Sequence, residues 1–394
     1  MKCCGIHVAT GELVELSFGS SIDSVEPVLR RLDNPPLLAP GWIDLQVNGY
    51  AGVDYNSPGA SREDIGRSLR ELYACGVTRL LATVITGSPD NLAAALRNLA
   101  EAREQIPEGE SIEGIHLEGP YISPEDGPRG AHPRNSVRPP DLQEFERFQE
   151  AARGLIRLVT LAPEWPEAPR FIETLVGRGI VVSIGHTGAS SEQIAAAVAA
   201  GATMSTHLGN AAHTALPRLA NYIWDQLADD RLAAGFIVDG VHLGPAFLKV
   251  ALRAKGTERS LLTTDAVAPA GCAPGPYRLG EVEVELTTDG RVLLADHSRL
   301  AGSVLRMDRG IENLMKLAGL SLREALTMAT RNPARVGRIA GRQKGLVPGD
   351  RADIVQFRFN EENNRISIEK TFVSGREVYS ADGGVDRRSG TAHH

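Results

Sequence analysis

Between residues 40 and 344 the chain alternates short, almost wholly apolar runs with longer stretches in which apolar residues recur every three or four positions. The apolar runs fall at 42–47, 77–85, 112–117, 156–161, 180–184, 203–206, 235–238 and 260–264. Apolar residues at nearly every position mark strands buried on both faces. Amphipathic or alanine-rich helical segments follow most of them, at 62–75, 91–105, 142–152, 171–178, 191–200 and 245–254. Ser61 with Asp64 three residues on, and Ser190 with Gln193 three residues on, put capping groups at two helix starts. Eight strand–helix repeats predict an α/β fold, a closed (β/α)8 TIM-type barrel, with a doubly wound open sheet as the alternative.

The two ends of the chain read differently. Short alternating pieces at 5–8, 12–18 and 28–31 resemble edge strands, and residues 345–380 alternate apolar and charged positions between turn residues Pro348, Gly349, Asp350 and Gly375. Neither end has a partner nearby, so segments 1–39 and 345–380 are predicted to form one small β domain. Residues 40–344 are left as the barrel and 381–394 as a polar, frayed tail. Inside the barrel region, 277–295 reads as an insertion with a hairpin at TTDGRV, and helices at 304–318 and 322–329 complete the barrel.

Composition narrows the partners. A chain of 394 residues, 42% apolar, has the length for a barrel plus a small companion. A net charge of −7 leaves no basic face for nucleic acid and keeps small polar or anionic ligands open. Cys3, Cys4, Cys75 and Cys272 contain no CxxC pair and read as reduced thiols. The opening MKCCGIHVATGELVE has no apolar core of a signal peptide, and no apolar run reaches membrane-spanning length. A cytoplasmic protein with no membrane partner is the expectation.

Barrel enzymes carry their chemistry where strands end. Here the first strand ends in Gln46 and Asn48, the third in His116 and Glu118, the fifth in His186, the sixth in His207, the seventh in Asp239 and His242, and the eighth in Asp265. A lone strand-end histidine is more often a hydrogen-bonded structural residue, but this concentration of ligand and proton-carrying types reverses that reading. Glu118, His186 and His207 make a two-histidine, one-carboxylate set that suits a catalytic zinc with one position open for water. Iron(II) uses the same set. Either ion lowers the pKa of water towards neutrality, which points to hydrolysis. Asp265, in LLTTDAVAPAG, is placed to take a proton from that water and give it to a leaving group, or is a turn or N-cap aspartate. His132 and His242, in loops after strands three and seven, are candidates to polarise a carbonyl or bind a substrate oxygen, against a reading as solvated loop histidines. His116 is read as filling the barrel interior, and His7, His213 and His297 as structural or surface groups.

Nine segments in order, PGWIDLQVNGYAGVDYN (40–56), HLEGPYIS (116–123), GAHPRNSVR (130–138), SIGHTGAS (183–190), STHLGNAA (205–212), VDGVHL (238–243), TTDAVAPAG (263–271), LAGSVLRMD (300–308) and NPARVG (332–337), resemble the N-acetylglucosamine-6-phosphate deacetylases of the amidohydrolase superfamily. The resemblance spans about residues 38–380 and rests on the joint order of the blocks. It implies a metal-dependent (β/α)8 barrel, a small β-sandwich from both termini, a homodimer, and hydrolysis of the N-acetyl amide of an amino sugar phosphate with release of acetate. By the same resemblance Glu118, His186 and His207 match the metal ligands and Asp265 the catalytic aspartate. His132 matches the residue that polarises the acetyl carbonyl or touches a sugar hydroxyl, and His242 a substrate-binding histidine. Asn210 and Ala211 match a loop whose backbone amides meet the phosphate.

The chain departs from the family pattern in two places. Gln46 and Asn48 stand where many amidohydrolases carry H-x-H for a second metal, so one divalent ion is expected, zinc first and iron(II) second. After the sixth strand, HTALPRLANYIWDQ replaces an Arg-Glu-Pro-Gly-like stretch whose arginine reaches the phosphate of a neighbouring subunit, and Arg218 is the residue that substitutes. The alternatives are an amidohydrolase acting on another N-acyl or cyclic amide without a phosphate, and a non-catalytic sugar-binding protein on the same barrel.

Overall fold

The computed structural model describes residues 1–29, 31–341 and 345–382. From residue 383 on, the tail expected at 381–394 lies outside the described residues.

Eight parallel strands run in chain order around the barrel: Trp42–Val47, Val77–Ile85, Ile112–Glu118, Ile156–Leu161, Val181–Ile184, Met204–Ser205, Ala233–Ile237 and Ser260–Thr263. The circle closes between first and last, where Asp265 N donates to Gln46 O at 3.0 Å and Asn48 N donates to Ala266 O at 2.7 Å. The sixth strand is narrower than expected, held to two residues between Gly201 and the left-handed turn at His207. Helices cover the outside. In Arg62–Tyr73, Ser61 caps the Asp64 N–H at 3.0 Å, and Ile65, Leu69 and Leu72, spaced four and three apart, turn one apolar stripe inward. The capping box at Ser190 and Gln193 is present as read from the sequence.

Inside the barrel the side chains form layers. Ile43, Leu81, Leu158, Val181, Met204 and Leu261 pack the base, which the short helix Arg331–Val336 closes with Ala334 and Val336. Above them lies a hydroxyl layer, in which Thr206 Oγ1 sits 2.6 Å from both Thr160 Oγ1 and Ser183 Oγ. His116 fills this interior as expected, 2.7 Å from Thr160 Oγ1. These polar groups satisfy one another, so they form a rigid seat for the residues above them.

Both ends of the chain meet in one seven-stranded sheet, ordered Arg376–Ser380, Arg365–Val373, Ile354–Asn360, Leu37–Pro40, Lys2–His7, Leu13–Phe18, Ile22–Pro27. Phe18 and Phe372 belong to strands with three others between them, yet their rings pack edge to face at 5.4 Å. The sheet therefore folds over on itself into a sandwich around Leu16, Leu38, Ile354 and Phe372. The strand expected at 28–31 lies earlier, at Ile22–Pro27, because the tight turn after Phe18 starts pairing at once, from Phe18 with Ile22 to Val14 with Pro27. Its polar sequence, IDSVEP, is that of a protected sheet edge and carries little strand signal.

The insertion is a three-stranded sheet, Gly275–Leu279, Val282–Leu286 and Val292–Leu294, one strand larger than the expected hairpin. Asp54 Oδ2 accepts from Gly280 N at 2.6 Å, and Glu281 Oε1 accepts from Ser88 N at 3.0 Å. These bonds pin the insertion over the strand ends, so that Leu279, Ser298, Arg299 and Leu300 wall the cavity beneath.

Candidate metal centre and active site

Glu118 is the last residue of Ile112–Glu118, and His186 and His207 each stand two residues beyond Val181–Ile184 and Met204–Ser205. The structure brings the three together. Glu118 Oε1 lies 3.1 Å from His186 Nε2 and 2.9 Å from His207 Nε2, and the two nitrogens are 3.2 Å apart. All three residues are buried.

The hydrogen bonding behind these atoms tests whether they suit a cation. His186 Nδ1 lies 2.9 Å from the Pro128 carbonyl oxygen, which can only accept, so Nδ1 carries the hydrogen and Nε2 presents a lone pair to the centre. Lone pair and carboxylate oxygen converge there at distances that a shared positive charge relieves. Two imidazole nitrogens and one carboxylate oxygen from rigid strand ends fit a divalent cation of the zinc or iron(II) type. Among the described residues these are the three that meet in this way.

The backbone is held in an uncommon shape. His186 (φ 52°), His207 (φ 27°) and Asp265 (φ 51°) all lie in the left-handed region, at about 1–3 kcal/mol each for a side chain with a Cβ. Such turns swing strand-end side chains inward over the barrel. Gly130 (φ 59°) passes so close to the His186 ring that a Cβ there would sit 3.2 Å from Cε1, which explains the glycine.

Asp265 follows the eighth strand, and its Oδ1 accepts from Gln46 Nε2 at 3.0 Å and Asn48 Nδ2 at 2.7 Å. Burial, with the Glu118 charge adding to it, pushes the Asp265 carboxyl up to about 7. Burial also favours a neutral Glu118, but the His186 and His207 imidazoles beside it overturn that and hold its carboxyl well below the usual range. Two carboxyls within one site thus differ in proton affinity, the separation that acid–base chemistry requires. His132 is buried with its ring centre 4.3 Å from that of His186, and burial holds it well below 6.5, as a neutral imidazole. Its Nδ1 is 2.8 Å from Thr86 Oγ1. His242 Nδ1 is 2.6 Å from Asp239 Oδ2, which fixes the ring at the cavity edge.

The cavity over these groups is about 830 Å³, within the range of small-ligand sites. Glu118, His186, His207, Asp265, His132 and His242 all line it. Asn210 and Ala211 line it too, with Asn210 N bonded to His207 O at 3.0 Å and Ala211 in a left-handed turn (φ 48°). Arg218 is exposed on the following loop and is not part of the wall. His213, read as structural or surface, also lines the cavity, bridged to Glu125 at 3.0 Å and to the Tyr222 hydroxyl at 3.0 Å. Both its ring nitrogens are held within the protein, as a structural group's would be, and it enters the wall only through the fold of its loop, which no strand signal announces. Thr86, the Pro128 carbonyl and Arg299 were also missed. Thr86 directly follows Val77–Ile85 and was legible as a strand-end residue, whereas Pro128 and Arg299 sit in loops with no periodic signal.

Residues 37–378 match the model of the amidohydrolase family. The chain is 36% identical to the N-acetylglucosamine-6-phosphate deacetylase of Bacillus subtilis (strain 168), over 84% of this chain and 83% of that protein. It is 33% identical to the N-acetylgalactosamine-6-phosphate deacetylase of Shewanella sp. (strain ANA-3), over 96% of this chain and 92% of that protein. A solved structure of a mutant Mycobacterium smegmatis N-acetyl-D-glucosamine-6-phosphate deacetylase, in complex with N-acetyl-D-glucosamine-6-phosphate, superposes with a TM-score of 0.84 at 30% identity, covering 93% of this chain and 95% of that one. With its barrel, its strand-end site and a family match over nearly its whole length, the chain belongs to the amidohydrolase family.

Proposed function

We propose that this protein hydrolyses the N-acetyl amide of an amino sugar 6-phosphate, in the first place N-acetylglucosamine 6-phosphate, to the free amino sugar phosphate and acetate. The observation that carries the reading is the meeting of Glu118 Oε1, His186 Nε2 and His207 Nε2 within 3.2 Å of one another, in the same cavity as the Asp265 carboxyl. The relatives named above act on N-acetylated amino sugar phosphates, which supports the substrate class.

Amidohydrolase membership implies a divalent metal ion, which Glu118, His186 and His207 would hold; zinc is the proposed ion and iron(II) the alternative. Bound there, it supplies Lewis acidity that polarises an amide carbonyl and acidifies water. Asp265 takes the proton from the attacking water, a role its place in the wall of the same cavity allows. The neutral His132, its Nδ1 turned to the Thr86 hydroxyl, acts in the tautomer that carries its hydrogen on Nε2 and donates it to the acetyl oxygen as negative charge grows there. Asp265 then returns its proton to the departing nitrogen, the C–N bond breaks, and acetate and amine leave. His242 binds a sugar oxygen at the cavity edge, and the turn of Asn210 and Ala211 lines the wall for the phosphate, with the Ala211 amide as its donor because the Asn210 N–H is held by His207 O.

Arg218 is assigned to the phosphate of a neighbouring copy, since it stands outside its own cavity. Leu219 (84% exposed) and Trp224 (48% exposed) beside it support a homodimer that covers this apolar surface. Four unpaired cysteines support a reducing cytoplasm. Among the described residues no helix is long and apolar enough to cross a membrane.

The Shewanella relative, aligned over 96% of this chain, favours a second reading in which the sugar is the galactosamine epimer. Both are tested by acetate release from N-acetylglucosamine and N-acetylgalactosamine, each with and without the 6-phosphate, in the presence of zinc or iron(II). Turnover of a 6-phosphate supports the proposal and its epimer preference selects the sugar; equal rates without phosphate reject the phosphate requirement, and no acetate from any of the four rejects the deacetylase reading.

A further inference from the structure

Gln46 and Asn48 stand at the end of the first strand in the run Gln-Val-Asn, are 2% and 1% exposed, and take the place of the H-x-H that many amidohydrolases carry. Their amides have a definite task in the structure. Gln46 Nε2 has two hydrogens and two carboxylate partners, Glu118 Oε1 at 2.9 Å and Asp265 Oδ1 at 3.0 Å. Asn48 Nδ2 gives Asp265 Oδ1 a second donor at 2.7 Å. The orientation of Asn48 follows from chemistry, because a flipped amide would set its oxygen against the carboxylate oxygen. In that orientation Asn48 Oδ1 is buried with no hydrogen-bond partner. An apolar side chain would avoid that penalty, so the N–H towards Asp265 is what this position retains.

One carboxylate oxygen thus takes both donors, while no described side chain bonds Asp265 Oδ2. Resting on the hydrolase reading above, we propose that Gln46 and Asn48 are positioning residues that clamp Asp265 by Oδ1, leaving Oδ2 as the oxygen that accepts the proton of water and returns it to the amine. Gln46, by joining the same clamp to Glu118, also sets the distance between the proton carrier and the metal-binding carboxylate. Among the described residues the Asn48 side chain hydrogen-bonds only Asp265, which makes it the cleaner probe.

The experiment compares the zinc-loaded wild type with Asn48→Leu, Asp265→Asn and the double variant. Zinc content should stay at one ion per chain in all four. In Asn48→Leu, kcat for acetate release should fall about 100-fold with KM changed less than about threefold, a loss within the range of misplaced acid–base groups. Adding Asn48→Leu to Asp265→Asn should cost nothing more, since the group that Asn48 holds is already inert. A crystal structure of zinc-loaded Asn48→Leu should show the Asp265 carboxyl displaced from its wild-type position. Full activity in Asn48→Leu, a further loss in the double variant, or an unmoved Asp265 would each overturn the positioning role. If the wild type releases no acetate from any amino sugar, the hydrolase reading fails, while the Asp265 geometry in the crystal still decides whether the clamp exists.

Discussion

The Nε2 atoms of His186 and His207 face each other across 3.2 Å in the wall of the cavity. With His186 Nδ1 committed to the Pro128 carbonyl, at least one of these nitrogens offers a lone pair to the other, with the Glu118 carboxylate alongside. A divalent ion relieves this arrangement and should stabilise the fold by mass action, by ~2.7 kcal/mol when free metal exceeds its Kd a hundredfold. Thermal melts with and without a chelator check this. The zinc-dependent rise in Tm should appear in the wild type and vanish in His207→Ala.

Asp265 carries the proton in the proposed reaction without holding the ion. Asp265→Asn should therefore keep its metal and lose about 10²- to 10⁴-fold in kcat. Metal analysis and acetate assays on one preparation separate the two effects, and wild-type turnover in this variant would remove Asp265 from the mechanism.

Arg218 lies outside the cavity of its own chain. If it reaches the phosphate from a neighbouring copy, Arg218→Ala should raise KM about tenfold for a 6-phosphate substrate, the loss of one charge-assisted contact, and leave the unphosphorylated sugar unaffected. Equal changes for both substrates would show that the loop acts on something other than phosphate.

Asp44 lies at 0% exposure beneath the site, accepting from Thr263 Oγ1 at 2.9 Å and Thr264 Oγ1 at 2.5 Å. Burial outweighs these bonds and lifts its carboxyl from 3.8 to about 6. Between those values the folded protein holds a proton that the unfolded chain releases, so this group's contribution to stability falls as pH rises through the window. The loss above the window is ~3 kcal/mol, at 1.36 kcal/mol per pH unit. Urea denaturation from pH 4.5 to 7 should show a flatter slope in Asp44→Asn than in the wild type. Parallel slopes would mean that Asp44 is ionised throughout.

The barrel was legible because its strands are apolar at nearly every position and its helix caps are local signals, as at Ser61 and Ser190. Glu118, His186, His207 and Asp265 were legible for a related reason: a polar residue closing an apolar strand can point only to the barrel mouth. The edge strand Ile22–Pro27 was misplaced because its pairing comes from a turn and not from its own hydrophobicity. His213 and Arg299 reach the cavity through loop paths, set by tertiary contacts such as the Arg299 bond to Gly130 O at 3.0 Å. Gln46 and Asn48 were noticed for what they cannot ligate. Their donor role needed the positions of Glu118 and Asp265, 72 and 217 residues away along the chain.

Titrating zinc into metal-free protein while following acetate release from N-acetylglucosamine 6-phosphate tests the metal-dependent hydrolase most directly. Activity should rise linearly to a break at one ion per chain and stay absent at every zinc level in Glu118→Ala. Acetate release that is independent of zinc, or unchanged when Glu118 is removed, would contradict a reaction built on Glu118, His186 and His207.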